Sequence, residues 1–123
     1  MAIVYRVENN KGKGPYTGVS PRVFENSFLN VHGRGNGHPT PLHDPLINRQ
    51  ATEGELCYFE SIKQACEWFT PLEFFFMYKR GFTLREVEVQ KITAVGQKQV
   101  LAIGRIKSTP IKYPRRENVN KSM

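Results

Sequence analysis

Between Asn9 and Gly54 the chain is rich in Gly, Pro, Asn and His, and its only apolar patch is Val23-Phe24 with Phe28-Leu29. A stretch of ~45 residues with so little periodicity is about three times the longest ordinary connection in a compact domain, so it is either disordered or a functional loop held by the rest of the fold. With 123 residues in all, the regular core must come from a short N-terminal segment and from residues 55–106. Two domains with separate cores are excluded by length.

The N-terminal segment alternates. Ile3, Tyr5 and Val7 share one phase, and Val4, Arg6 and Glu8 the other, which is a strand with one partly polar side. Leu56–Phe59 reads as a second strand. Ser61-Ile-Lys-Gln64 then has capping-box spacing, with a helix carrying Ile62, Ala65, Cys66 and Phe69 inward and stopping before Thr70-Pro71. Thr70, Pro71 and Glu73 start a second helix at once: a hydroxyl N-cap, a proline where no N–H is needed, and a glutamate at N3. The spacing places Leu72, Phe75, Phe76 and the Lys79 stem inward, with Gly81 as the left-handed stop. Phe74, Phe75 and Phe76 cannot all face one core, so one of them is expected at an oligomer or partner interface.

After Gly81 the period becomes two. Phe82 and Leu84 fall in one phase and Val87 and Val89 in the other, which predicts a bulge or bend near Arg85-Glu86. A turn at Val95-Gly96-Gln97 leads to a strand over Lys98–Ile106. The expected fold is α+β: a small, mostly antiparallel sheet with two consecutive helices and a long irregular Gly/Pro/His loop over 9–54, all within a domain of residues 1–106.

The charge is uneven. The chain has 18 Lys+Arg against 11 Asp+Glu, a net +7, but residues 105–123 hold six of the cations and one of the anions. The body therefore carries +2 and the end +5. Residues 107–123 read as a basic tail, disordered past Tyr113, whose Lys107, Lys112, Arg115 and Arg116 would add phosphate affinity. No helix-turn-helix, zinc-finger or RNA-recognition signature accompanies it. No apolar run reaches the ~18–20 residues of a membrane span and no signal-peptide order opens the chain, which points to a cytoplasmic protein with no membrane partner. Cys57 and Cys66 read as small buried apolar side chains in a reducing compartment.

Several residues suggest ligand chemistry. His32, His38 and His43 precede Asp44 within one loop; the spacing matches no zinc pattern, and no metal is assigned. Glycines 33, 35 and 37 around Arg34 resemble a phosphate cradle without the strand-to-helix context of a nucleotide motif. The alternatives are a solvated loop, or one that closes over a ligand or partner through His38 or His43. Arg6 faces solvent or holds a phosphate or carboxylate at a cleft mouth, and Tyr16 either packs locally or stacks on a ligand ring.

Tyr5-Arg6 on the opening strand, Tyr58-Phe-Glu-Ser61 running into a helix with Gln64-Ala65 and Trp68, and Gly96-Gln-Lys-Gln99 entering a late strand resemble the layout of small ADP-ribosyltransferase-like proteins. The resemblance implies an NAD cleft between two sheets, with Arg6 on the dinucleotide phosphates and Ser61 as the second motif's hydroxyl. Gln99 falls where these enzymes place a catalytic Glu. An amide brings no charge to the developing oxocarbenium, a loss of about 3–4 kcal/mol of transition-state stabilisation. Unless Glu60, Glu86 or Glu88 substitutes, such a site binds better than it catalyses.

The chain as a whole, with its Gly14-Pro-Tyr16 turn, His38-Pro-Thr-Pro41 loop, Trp68-Phe69 helix end and Gly81-Phe82 return, also resembles the short accessory proteins of bacteriophages. That resemblance implies a protein that binds and inhibits or redirects a host protein complex, of antiviral defence or nucleic-acid handling, in the host cytoplasm and without a cofactor. The loop and the basic surface are its expected contacts. An impaired NAD-binding transferase-like protein and a nonspecific nucleic-acid binder acting through the tail remain as alternatives.

Overall fold

The computed structural model describes residues 1–15, 41 and 44–111. The elements run β1 (Ala2–Glu8), β2 (Leu56–Tyr58), α1 (Ile62–Trp68), α2 (Pro71–Lys79), β3 (Thr83–Val95) and β4 (Val100–Pro110). All strand pairings are antiparallel, in the order β1-β3-β4-β2. The α+β expectation holds, with the two helices consecutive.

Both helices begin as their sequences dictate. Ser61 Oγ accepts from Gln64 N at 3.0 Å, while the Gln64 amide oxygen reaches back to Glu60 N at 2.8 Å. The second helix has a complete capping box: Thr70 Oγ1 accepts from Glu73 N at 3.2 Å and Glu73 Oε1 from Thr70 N at 2.8 Å. Its end is a Schellman turn, in which Gly81 at φ +87° lets Phe82 N bond Met77 O at 2.9 Å and Gly81 N bond Tyr78 O at 3.0 Å.

The sheet curls until its two edges meet. Tyr5 and Phe59 exchange both backbone hydrogen bonds, at 2.8 and 2.7 Å, so β1 also touches the continuation of β2. One face carries the helices: Tyr5, Val7, Phe59 and Leu84 pack on Ala65, Cys66, Phe69, Phe74 and Met77. On the other, Val4, Tyr58, Val87, Val89, Val100 and Ala102 from all four strands converge in a second cluster.

Four expectations need correction. β3 has no bulge at Arg85-Glu86; its register shifts lie between Glu88 and Val89 and between Ile92 and Ala94. Leu84 and Val87 differ in phase because the sheet is buried on both faces, so both phases can be apolar without a break. The inward face of α2 is also different. It is formed by Glu73, Phe74 and Met77, while Leu72 and Phe75 point outward and Phe76 is half-buried. In α1, Ala65, Cys66 and Phe69 are buried as expected and Ile62 is exposed. β4 extends past Ile106 to Pro110 and pairs with β3 throughout.

The tip between β3 and β4 is clamped from outside the sheet. Asp44, fully buried, accepts from Leu46 N at 3.1 Å, Gln97 N at 2.8 Å and Lys98 N at 3.2 Å, and from the Gln99 side chain. Burial pushes its carboxyl up, but these bonds outweigh it and leave Asp44 below its ordinary value. A Cβ on Gly96 would sit 2.5 Å from Asp44 Oδ2 and 2.7 Å from Gln99 O. Gly96→Ala is therefore expected to cost about 1–3 kcal/mol by forcing clamp and tip apart. A thermal melt reads this directly, and a melting temperature equal to that of the parent chain would show that the tip yields freely.

Candidate functional site

Three features of the surface bear on function. The first is the outer side of α2. Leu72 is 62% exposed and Phe75 46%, and Tyr78 is also exposed. Lys79 Nζ lies 4.9 Å over the Phe75 ring and the Arg80 guanidinium 5.7 Å over that of Phe76, with the two rings 5.7 Å apart. Leu72, Phe75 and Lys79 follow one helical stripe, i, i+3 and i+7. The helix has its only acid, Glu73, on the buried side. The outer face is thus apolar and aromatic, edged by positive charge.

The second is a cleft of about 270 Å³ between the start of α1 and the β3–β4 tip, lined by Glu60, Ser61, Gln64, Glu67, Trp68, Gln97 and Lys98. Trp68 forms one wall against Phe59, their ring centroids 5.6 Å apart.

The third is a charged cluster on the sheet face opposite the helices. Glu8 is fully buried, and the Arg105 fork straddles it, with Nη2 at 2.6 Å from Oε1 and Nη1 on Oε2. Arg6 Nη1 adds a bond to Oε2 at 2.6 Å and reaches Gly12 O at 3.1 Å. Arg85 Nε stands 3.9 Å from Oε1 and instead bonds Ser108 Oγ at 2.6 Å, with Nη2 on Ser108 O at 3.2 Å. Desolvation pushes the Glu8 carboxyl up, but Arg105 and Arg6 outweigh it and hold it below the usual carboxylate value.

Of the residues singled out from sequence, Arg6 belongs to this cluster and Ser61 lines the cleft. Gln99 is buried beside the cleft on Asp44. The structure does not gather the three into one site: Arg6 bonds Glu8 and Gly12, Ser61 caps α1, and Gln99 holds Asp44. Lys107 is exposed on β4 opposite Glu88. Tyr16, Arg34, His38, His43, Lys112, Arg115 and Arg116 lie outside the described residues, as does most of the 9–54 loop. Among the described residues no group of three or more His, Cys, Asp or Glu side chains is placed to hold a metal, and no helix is long and apolar enough to cross a membrane. Cys57 and Cys66 are free thiols whose pKa burial raises, which makes both poor nucleophiles.

A family model described as "Bacteriophage T4 Y00F protein" matches residues 1–109. The chain belongs to that family. The match spans every strand and helix from β1 almost to the end of β4. Membership in the Y00F family makes this a phage protein, in agreement with the resemblance read from its turns and helix ends. No curated protein and no solved structure matches the chain.

Sequence reasoning missed Glu8, Arg85 and Arg105, and it named Asp44 only beside the histidines, not as the clamp of the β3–β4 tip. A single acid at the end of a strand reads as solvent-facing, and the three arginines are 79 and 20 residues apart along the chain (6 to 85, 85 to 105). Only the register, which sets Arg6 opposite Arg85, unites them. The one available signal was the even phase Arg6, Glu8, shared with the buried Val4.

Proposed function

We propose that this Y00F-family chain is a phage accessory protein that binds a host protein complex through the outer face of α2 and so inhibits or redirects it. The observation that carries the reading is Leu72 and Phe75, both exposed, on a helix whose opposite side already fills the core with Phe74 and Met77. Large apolar side chains lined up in water cost solvation that only a covering surface recovers, at about 25 cal/mol per Å². Lys79 and Arg80 at the edge favour a partner whose apolar groove is rimmed by acidic side chains. Membership in a phage family supports a host protein as that partner.

The test is retention of host protein on the immobilised chain, comparing it with Leu72→Ser/Phe75→Ser and with Lys63→Ser, an exposed substitution on α1. The same host component should be held by the parent chain and Lys63→Ser and lost at least tenfold by the double variant, with all three melting within a few degrees. Equal retention by the double variant, or none by the folded parent chain, removes α2 from the account.

A further inference from the structure

We infer that Arg6, Arg85 and Arg105 form a binding site for a phosphate-class oxyanion. Three guanidinium groups surround one carboxylate, so the cluster carries a net charge of about +2 even with Glu8 fully ionised. The neighbouring acids of β3 do not offset it. Glu86 and Glu88 pair with Tyr5 and Ile3 and so share the other face of the sheet, whereas Arg85 pairs with Arg6. Two arginines directly opposed across an antiparallel pair repel, and a single shared Glu compensates only one of them.

The layering of the cluster fits a receptor. Glu8 lies at the bottom with its side chain 0% exposed, while those of Arg6, Arg85 and Arg105 are 18%, 21% and 31% exposed above it. Glu8 fixes Arg105 through both oxygens and Arg6 through one, so two of the three guanidiniums are oriented before any ligand arrives. Arg85 is held from the side by Ser108 rather than by Glu8. Each planar fork has five N–H donors, and these contacts use a minority of the fifteen. A phosphate dianion would bring the cluster to neutrality and accept the outward-facing donors in charge-assisted bonds. Gly14 keeps the flank open: a Cβ there would come within 3.1 Å of Arg6 Nη2.

Isothermal titration with inorganic phosphate, at ionic strength held constant with chloride, tests this on the full chain, alongside Arg85→Gln and, as a control outside the cluster, Lys63→Gln, an exposed cation on α1. Phosphate should bind where chloride does not. Arg85→Gln should weaken it at least tenfold while leaving the Glu8 pairs with Arg6 and Arg105 in place, and Lys63→Gln less than twofold. Should Arg85→Gln fail to fold, the Nε–Hε resonances of the parent chain decide: shifts at Arg85 and Arg105 on adding phosphate support the site. Phosphate indistinguishable from chloride, unchanged affinity in Arg85→Gln, or shifts only at other arginines overturns it. A nucleoside 5′-monophosphate in a parallel titration separates sources: tighter binding than inorganic phosphate assigns the site to a phosphate ester, equal or weaker binding to the free ion.

Discussion

Glu8→Gln lowers the stability of the chain by about 2–4 kcal/mol and drops its melting temperature by on the order of 10 °C. The amide keeps the shape of the side chain and removes its charge, leaving Arg6, Arg85 and Arg105 around a neutral group on a face that also holds Val4, Val87 and Val89. Breaking a buried pair from one side usually costs more than the pair was worth, because the remaining charge stays where water reaches it poorly. Partial exposure of the arginines keeps the loss toward the lower end of that range. The acid limb carries an independent signature. Since the folded Glu8 carboxyl sits below its unfolded value of 4.5, its contribution is complete above that pH and disappears as pH falls through the folded value. Asp44 and Glu55, the latter held by Arg49, Thr93 and Thr52, act with the same sign. Urea titrations between pH 3 and 7 should therefore show the parent chain losing stability toward acid, and Glu8→Gln losing less. Parallel pH profiles would mean that the carboxylate is not what holds the arginines.

Phe74→Ala costs about 3–5 kcal/mol and Phe75→Ala less than about 1 kcal/mol. The two rings are adjacent in sequence and opposite in environment. Phe74 is 1% exposed, edge-on to Phe69 at 5.6 Å, and packs in the cluster with Met77 and Leu84. Phe75 meets Lys79 and Phe76 on the outer face. Chemical denaturation midpoints of the two variants decide between the faces. A larger loss for Phe75→Ala would turn the helix around and bury the surface assigned to a partner.

That helix shows how far the sequence could be read. Its boundaries were legible because Thr70, Pro71, Glu73 and Gly81 each meet a local backbone need, and caps depend on nothing distant. Its orientation was not, since Leu72, Phe75 and Phe76 form as good an apolar stripe as Phe74 and Met77. The choice is made by what the sheet offers across the interface, Val7 and Leu84 among others. The same limit applies to the candidate sites. The capping role of Ser61 was legible because its spacing is local, whereas its position in the cleft follows from α1 meeting the β3–β4 tip. Arg85 and Arg105 had no local mark at all, because a charge on a strand signals water unless the register supplies its partner. That Phe74, Phe75 and Phe76 cannot all face one core was a volume argument that needed no register, and Phe75 is the one left exposed.

The edge-to-edge meeting of Tyr5 with Phe59 and the pairing of Val4 with Val87 set a timetable for synthesis. Val4 of β1 can meet Val87 only after more than 80 further residues have been made, a wait of about 4–17 s at 5–20 residues per second. Arg105, the partner of Glu8, is made later still, 97 residues after it. The two helices have their cap contacts at hand as soon as they are made, but at seven and nine residues they gain their stability by packing Phe69, Phe74 and Met77 on the sheet. Closure of the curled sheet, with β1 on β3 and Tyr5 on Phe59, therefore cannot precede the synthesis of β3.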